Sequence, residues 1–132
     1  MEFRSASVED YEAVRRFLAE AGWRHRVSDP ERFRKMMEQT NRTVVAWDNL
    51  RVVGFARAVC DEVSNGYISM VAVAEDMRGQ GIGRKLIERL INDDSGSITW
   101  VLRAGHGSTG FWEKMGFKAS EVAMEREREM QN

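Results

Sequence analysis

The chain has 132 residues, of which 42% are hydrophobic, with 6 Phe, 4 Trp and 8 Met, enough for the core of one ordinary domain. Its 20 Lys and Arg against 21 Asp and Glu give a net charge of -1, so no overall charge attracts nucleic acid or an anionic membrane. We therefore expect one domain over residues 1–132, with neither nucleic acid nor membrane as a partner.

The single cysteine, Cys60, lies in the apolar run "GFARAVC" and is interpreted as a small buried residue rather than a nucleophile. One cysteine forms no internal disulfide, and "MEFRSASVED" has no apolar region typical of a secretory signal. No run approaches the ~20 apolar residues of a membrane span. These observations favour a cytoplasmic protein.

The first forty residues have helical periodicity after a short predicted strand in "EFRSA". The stretch "SVED" is typical of a capping box, with Ser7 as N-cap and Asp10 in place of the usual Glu or Gln. Apolar residues at helical spacing follow, and Gly22 is predicted to end that helix. A second helix is predicted in "SDPERFRKMMEQT", with Ser28 or Asp29 as its cap.

The composition and the spacing of the apolar residues then change to those typical of β-strands. "TVVAW", "LRVVGFARAVC" and "YISMVAVA" are rich in β-branched and aromatic residues, and "DN" and "SNG" between them are predicted hairpin turns. A helix beginning near Ile82, a strand in "SITWVLR" and a short helix in "STGFWEKMGF", closed by Gly116, follow. The tail "VAMEREREMQN" is predicted to begin as a last strand. This order predicts an α+β fold with a mostly antiparallel sheet and one strand–helix–strand crossover.

A glycine-rich stretch, "DMRGQGIGRK", joins a predicted strand to a predicted helix. The N-terminus of a helix has unpaired N–H donors and a partial positive charge, so it favours anions, phosphates above all. Glycines let the backbone approach such a ligand directly. The stretch contains three glycines and three cations: Gly79, Gly81 and Gly83, and Arg78, Arg84 and Lys85.

Two common phosphate-binding motifs do not fit this stretch. The Walker A motif requires four residues between its glycines and a Ser or Thr after the lysine, whereas here three residues separate Gly79 from Gly83 and Leu86 follows Lys85. The Rossmann motif has the spacing G-x-G-x-x-G and a doubly wound parallel sheet, whereas here the spacing is G-x-G-x-G.

The stretch "R-G-Q-G-I-G" does resemble the R/Q-x-x-G-x-G/A motif of the GNAT family of N-acetyltransferases, and "FWEKMGF" is similar to that family's "FYEKLGF". The element order agrees from end to end, so the resemblance covers essentially the full chain. It implies a three-layer fold whose sheet is splayed between its fourth and fifth strands, with helices on both faces. It also implies acetyl transfer from acetyl-CoA to a primary amine, by direct attack in a ternary complex and without a metal. A tight turn at a close helix–strand contact is the structural alternative for the glycines.

The same resemblance implies where the coenzyme binds. Backbone amides of the loop would hold its pyrophosphate, and the exposed edge of the preceding strand would pair with its pantetheine arm. The residues at these positions, together with residues of the last helix, are Met70, Val71, Ala72, Val73, Arg78, Gly79, Gln80, Gly81, Ile82, Gly83, Arg84, Ser108, Phe111 and Trp112.

The catalytic groups are less well defined by the resemblance. The backbone amide of Val71, near a bulge of that strand, would stabilise the oxyanion. The family commonly protonates the leaving thiolate with a tyrosine, but Trp112 stands at that position, and an indole is not an acid near neutral pH. Gly105 stands where the family often has Asn. Tyr67 and His106 are the candidate replacements, each with a packing or surface role as its alternative.

The sequence gives two opposite indications of the acceptor's charge. Asp61 and Glu62, at the end of a predicted strand, would attract a cationic amine unless they only cap a hairpin, whereas the arginines of "GWRHR", after Trp23, favour the opposite charge. The expected acceptor is a small molecule or a peptide, and family members often pair, which leaves a homodimer open. Two other functions are retained as alternatives: a coenzyme A-binding module with little catalysis, and a protein that binds ATP or NAD.

Overall fold

The segments with strand periodicity form one sheet in the computed structural model, which describes residues 1–92 and 96–129. Its strands run in the order β1-β2-β3-β4-β5, and all pairs are antiparallel except β4 and β5, which are parallel. The predicted α+β class and mostly antiparallel sheet are therefore confirmed. The strands are β1 (Glu2–Arg4), β2 (Arg42–Asp48), β3 (Arg51–Cys60), β4 (Asn65–Val73) and β5 (Thr99–Leu102).

The two parallel strands separate partway along their length. β5 pairs with β4 only from Asn65 to Ile68 and ends at Leu102, whereas β4 continues to Val73. The edge of β4 from Ser69 to Val73 that faces away from β3 is thus not paired with β5. This is the splay between the fourth and fifth strands that the family resemblance implied.

Helices cover both faces of the sheet. On one face, α1 and α3 bury Val14, Leu18, Phe33 and Met37 in a cluster that includes Phe55 of β3. On the other face, α4 buries its apolar stripe, and a Cβ on Gly54 of β3 would lie 3.0 Å from Leu86. The predicted three-layer arrangement is therefore confirmed. The helices are α1 (Tyr11–Leu18), α2 (Arg24–Val27), α3 (Pro30–Glu38), α4 (Ile82–Leu90) and α5 (Thr109–Lys114).

Local signals at the helix ends behave as predicted. The Asp10 carboxylate accepts a hydrogen bond from the Ser7 amide at 2.9 Å, and Asp29 caps α3 by accepting from the amides of Glu31 and Arg32. Gly22, at φ 103°, interrupts the helical path, although the short α2 follows at once.

Two sequence predictions were wrong. The β3–β4 turn is formed by residues 61–64, because the Asp61 carboxylate accepts hydrogen bonds from the following amides, and Asn65 and Gly66 begin β4. Gly66 is required there because the Trp100 ring of β5 occupies the space of a Cβ. The described part of the tail, up to residue 129, contains no strand, and its glutamates pair with Arg103 instead.

Within residues 1–92 and 96–129, no helix combines the length and the apolar content needed to cross a bilayer.

Candidate functional site

The loop between β4 and α4 has a backbone that requires glycine at two positions. After a short 3₁₀ turn, Glu75–Met77, both Gly79 and Gly81 adopt φ 80°, which residues with a side chain rarely adopt. Gly81 is the N-cap of α4, and a Cβ on either glycine would meet open space. Backbone conformation, rather than crowding, therefore explains these two glycines.

Gly83 has a different reason, which is close packing. A Cβ at this position would lie 3.2 Å from the ring of Phe111 in α5 and 3.7 Å from a methyl group of Val73 in β4. The absence of a side chain therefore lets the first turn of α4 approach both neighbours. Gly83 therefore lies at the tight helix–strand contact that was the structural alternative for the glycines. Gly79 and Gly81, by contrast, lie in an open loop.

The start of α4 has free hydrogen-bond donors and positive charge around it. Lys85 donates the first bond of the helix to Gly81, and the amides of Ile82, Gly83 and Arg84 come before it, where a helix has no internal acceptor for them. Arg78, which bonds weakly to the Val73 carbonyl at 3.4 Å, lies in the same loop. This is a favourable environment for an anion such as a phosphate.

β4 has a bulge at the point where β5 leaves it. Its register against β3 pairs Ser69 with Arg57 and Ala72 with Phe55, so Met70 and Val71 together oppose the single residue Ala56. Met70 adopts φ 59°, which is uncommon for a residue other than glycine, and its side chain is buried. A bulge leaves the extra residue unpaired and re-aims its backbone groups. Such a feature in a buried strand points to a functional backbone position.

A cavity of about 1480 Å³ begins at the glycine loop and reaches the opposite face of the sheet. It exceeds the ~300–1,000 Å³ of typical small-ligand pockets, so an extended ligand fits. Of the coenzyme residues predicted from the sequence, all line this cavity except Gln80. Trp23 and Tyr67 line it as well, whereas His106, Asp61 and Glu62 do not.

Trp112 belongs both to the cavity wall and to the core. Only 8% of its surface is exposed, and its ring makes edge-on contacts with Phe111 and Phe117, with ring centroids 5.0 and 5.3 Å apart. The indole is therefore fixed in place by packing against these two rings.

The two candidates for the missing acid lie in different environments. Tyr67, 40% exposed, is on β4 two residues before Ser69, and both side chains line the cavity. His106 is exposed in the turn before α5, outside the lining. The hydroxyl of Ser108, the N-cap of α5, donates a hydrogen bond to the Gly105 carbonyl at 2.7 Å. Among the described lining residues, Tyr67 therefore has the better position for proton transfer.

Asp61 and Glu62 form hydrogen bonds and an ion pair in the β3–β4 turn. The amides of Asn65, Ser64 and Val63 hold the pKa of the Asp61 carboxyl well below its usual range. Glu62 pairs with Arg42 at 2.6 Å, which lowers the pKa of Glu62. Both carboxylates therefore have structural partners, and neither lines the cavity.

Arg57 is a site residue that sequence reasoning missed. It lies in β3, half-buried and lining the cavity, and its Nε donates to the hydroxyl of Thr40 at 3.0 Å. Burial lowers the pKa of Arg57, and the nearby Arg26 lowers it further. The available signal was a single charge inside the apolar strand "VVGFARAVC", since an interior strand rarely buries an arginine without use for it.

The cavity wall is positively charged at both ends. Within the described part of the chain, the lining includes no Asp or Glu. Its cations are Arg26, Arg32, Lys35, Arg57, Arg78, Arg84, Arg103, Lys114 and Arg128. The residues described here also contain no cluster of three or more His, Cys, Asp or Glu side chains suited to a metal ion.

The splayed sheet, the bulge and the glycine loop at a helix N-terminus together define an acetyltransferase-type fold. The model of the "Acetyltransferase (GNAT) domain" matches residues 5–129, and the chain belongs to this family.

Two curated relatives show how far the likeness extends. The chain is 32% identical over 123 residues to serotonin N-acetyltransferase 2, chloroplastic, from Oryza sativa subsp. japonica, covering 86% of this chain and 59% of that protein. It is 40% identical over 73 residues to a histone acetyltransferase from Glycine max, covering 52% of this chain and 31% of that protein. The chain thus spans only 31% and 59% of the length of these two relatives.

Solved structures agree on the fold. An acetyltransferase from Trypanosoma brucei aligns with a TM-score of 0.74 at 24% identity, covering 96% of this chain and 99% of that one. A predicted acetyltransferase from Clostridium acetobutylicum, whose structure is described as containing acetyl-CoA, aligns with a TM-score of 0.75 at 18% identity, covering 96% and 95%. At these identities the likeness shows the fold alone.

Proposed function

We propose that this protein transfers the acetyl group of acetyl-CoA to a primary amine, both substrates being bound at once. The observation that carries the proposal is the continuous cavity from the glycine loop, past the bulge of β4, to the far face of the sheet. A cosubstrate with a phosphate at one end and a reactive thioester at the other matches that layout. GNAT acetyltransferases use acetyl-CoA, which supports the same assignment.

The coenzyme's pyrophosphate would bind at the start of α4. The amides of Gly83 and Arg84 would donate hydrogen bonds to it there, and the partial positive charge of the helix would add to the attraction. The pantetheine arm would lie along the edge of β4 between Val71 and Val73, where β5 offers no hydrogen-bond partner. Phe111 and Trp112 would form its apolar wall.

The reaction would occur beside the bulge. The nitrogen lone pair of the amine attacks the thioester carbonyl carbon, the C–N bond forms, and the C–S bond breaks with coenzyme A leaving as a thiolate. The amide of Val71 would donate a hydrogen bond to the carbonyl oxygen as negative charge develops on it. The nitrogen then releases one proton to solvent water. The thiolate takes the proton of the Tyr67 hydroxyl, the proposed donor, and the tyrosinate is reprotonated from solvent.

A coenzyme A-binding module with little catalysis is the second candidate. Trp112 supports this candidate, because it fills the position of the family's tyrosine and its indole has no acidic proton to donate to the thiolate. Its ring is held in place by Phe111 and Phe117.

Thiol release and thermal stability together distinguish these functions. Purified protein and acetyl-CoA are screened against polyamines, amino acids, aminoglycosides and peptide N-termini, and free thiol is measured. The acetyltransferase proposal expects at least one amine to raise thiol release above background and coenzyme A to raise the melting temperature. Stabilisation by coenzyme A without thiol release supports the binding module. Stabilisation by ATP or NAD but not by coenzyme A contradicts both.

We infer one catalytic unit over the whole chain, a cytoplasmic location, and pairing of two copies as its assembly. Size-exclusion chromatography with light scattering measures the last of these, and a monomer would contradict it.

A further inference from the structure

The acceptor end of the cavity contains two half-buried arginines on the same side of the sheet. Arg26 comes from α2 and Arg57 from β3, and both line the cavity together with Tyr67 and Trp23. Arg26 acts electrostatically on Arg57, both arginines interact with Tyr67, and Arg128 adds repulsion at Arg26, so these groups share one region of the cavity. The glycine loop is on the other side of the bulge.

No carboxylate balances these two charges within the described residues. Arg57 has a hydrogen bond only from Nε, to Thr40, so its two terminal nitrogens have no protein acceptor in residues 1–92 and 96–129. Arg26 contacts the ring of Trp23, with 5.6 Å between the guanidinium carbon and the ring centroid, and makes no ion pair in that same part of the chain. Arg32 and Lys35 of α3 add further positive charge to the wall.

Such an arrangement is costly for the protein alone. Taking a charge out of water without a partner is unfavourable, and placing two like charges together adds repulsion. The lowered pKa of Arg57, caused first by burial and then by Arg26, has the same origin. A bound anion would remove both costs, and the planar guanidinium fork is well suited to carboxylate and phosphate oxygens.

We propose that the acceptor is an amine that also bears a carboxylate or a phosphate, and that Arg26 and Arg57 bind this anionic group. The proposal rests on the acetyl-transfer function and specifies its substrate class. It replaces the attraction to cationic amines that Asp61 and Glu62 suggested from the sequence, because these two side chains lie outside the cavity lining. Trp23 would cover the apolar part of the acceptor.

The test compares amines that differ only in the anionic group. Glycine is compared with glycinamide, β-alanine with β-alaninamide, and O-phosphoethanolamine with ethanolamine, while serotonin and spermidine represent amines without an anion. We expect kcat/KM for thiol release to be about 10- to 100-fold higher for the anionic member of at least one pair, as a charged hydrogen bond would give. The carboxylate and phosphate pairs show which anion is preferred. Equal kcat/KM within every pair, or a preference for spermidine or serotonin, overturns the proposal.

Substitutions of the two arginines test whether they cause the preference for an anionic acceptor. Arg57→Gln and Arg26→Gln should each reduce the preference for the anionic member about tenfold, and Arg57→Lys, which keeps the charge and loses the fork, should fall in between. Arg16→Gln is the matched control, since that exposed arginine pairs with Glu12 on α1 and lies outside the cavity. A preference unchanged in both Arg26→Gln and Arg57→Gln contradicts the assignment.

A binding readout separates this proposal from the acetyl-transfer function. With coenzyme A saturating, N-acetylglycine should raise the melting temperature more than N-acetylglycinamide, and Arg57→Gln should abolish that difference while coenzyme A still stabilises the variant. If coenzyme A stabilises the protein but the two probes act alike, the anionic acceptor is wrong and the acetyl-transfer proposal stands. If coenzyme A itself has no effect, the acetyl-transfer proposal fails first.

Discussion

The two ends of the cavity are built in different ways. At the proposed coenzyme end, the groups that would bind are backbone amides of one continuous segment, from Gly79 to Arg84. At the proposed acceptor end, they would be side chains from α2, β3 and β4: Arg26, Arg57 and Tyr67. A site built from backbone amides is marked in the sequence by glycines, which have no side chain. A side-chain site depends on which distant segments the fold brings together, so the two ends should respond differently to substitution.

The largest expected effect is at the acceptor end. Replacing Tyr67 by Phe keeps the ring and removes the hydroxyl, so the proposed proton donor is lost and kcat should fall by about 10² or more. Binding of coenzyme A, measured by the shift in melting temperature, should not change. A kcat close to that of the unmodified protein would transfer the acid role to water or to another group.

The second effect is at the coenzyme end. Gly83→Val places a branched side chain where even a Cβ lies 3.2 Å from Phe111, so the first turn of α4 and the ring must move apart. We expect coenzyme A to bind at least about tenfold more weakly, a loss of roughly 1.4 kcal/mol. Isothermal titration calorimetry measures the dissociation constant.

Gly110→Ala provides the control for this glycine. Gly110 lies in α5, and a Cβ there would meet nothing within 4 Å. Its alanine variant should bind coenzyme A normally and be as stable as the unmodified protein or more so. If both glycine variants bind coenzyme A equally well, the loop is not the pyrophosphate site.

The smallest effect on catalysis is expected from the β3–β4 turn. Asp61→Ala removes the acceptor of three backbone hydrogen bonds and should lower the melting temperature at pH 7, while kcat/KM for the acceptor stays the same. A loss of kcat/KM as large as that from Tyr67→Phe would place Asp61 in the acceptor site after all.

The stability effect of this variant should depend on pH. The folded protein holds the pKa of Asp61 below its unfolded value near ~4, so the ionised carboxylate stabilises the fold above about pH 4. That contribution decreases as the pH falls further and the carboxylate is protonated. The difference in melting temperature between Asp61→Ala and the unmodified protein should therefore shrink below pH 4, and a difference that grew would contradict the assigned hydrogen bonds.

The glycine loop could be predicted from the sequence because each of its structural requirements leaves a local mark. The positive φ angles of Gly79 and Gly81 and the close approach at Gly83 require glycine, and the helix that follows has its own periodicity. The splay and the bulge at Met70 came from the family resemblance, since no local residue type indicated them.

The acceptor end was predicted in part. Trp23 and Tyr67 do line the cavity, but Asp61 and Glu62 belong to a turn whose position was misjudged, because Asn65-Gly66 looked like the turn itself. Glycine at position 66 makes room for Trp100 of a strand 34 residues further along the chain, a requirement that no local pattern encodes. Arg57 was missed although a single charge in an apolar strand marks it locally, because its partners, Arg26 and Thr40, come from other segments.

We propose that one extended coenzyme runs from the start of α4 along the open edge of β4 to the bulge. A titration of ¹⁵N-labelled protein with coenzyme A, followed by amide chemical shifts, tests it most directly. We predict the largest shifts at Gly79, Gly81, Gly83 and Arg84 and at Val71 and Val73, with the β3–β4 turn unaffected. Shifts concentrated elsewhere, or at the loop without the edge of β4, would contradict this arrangement.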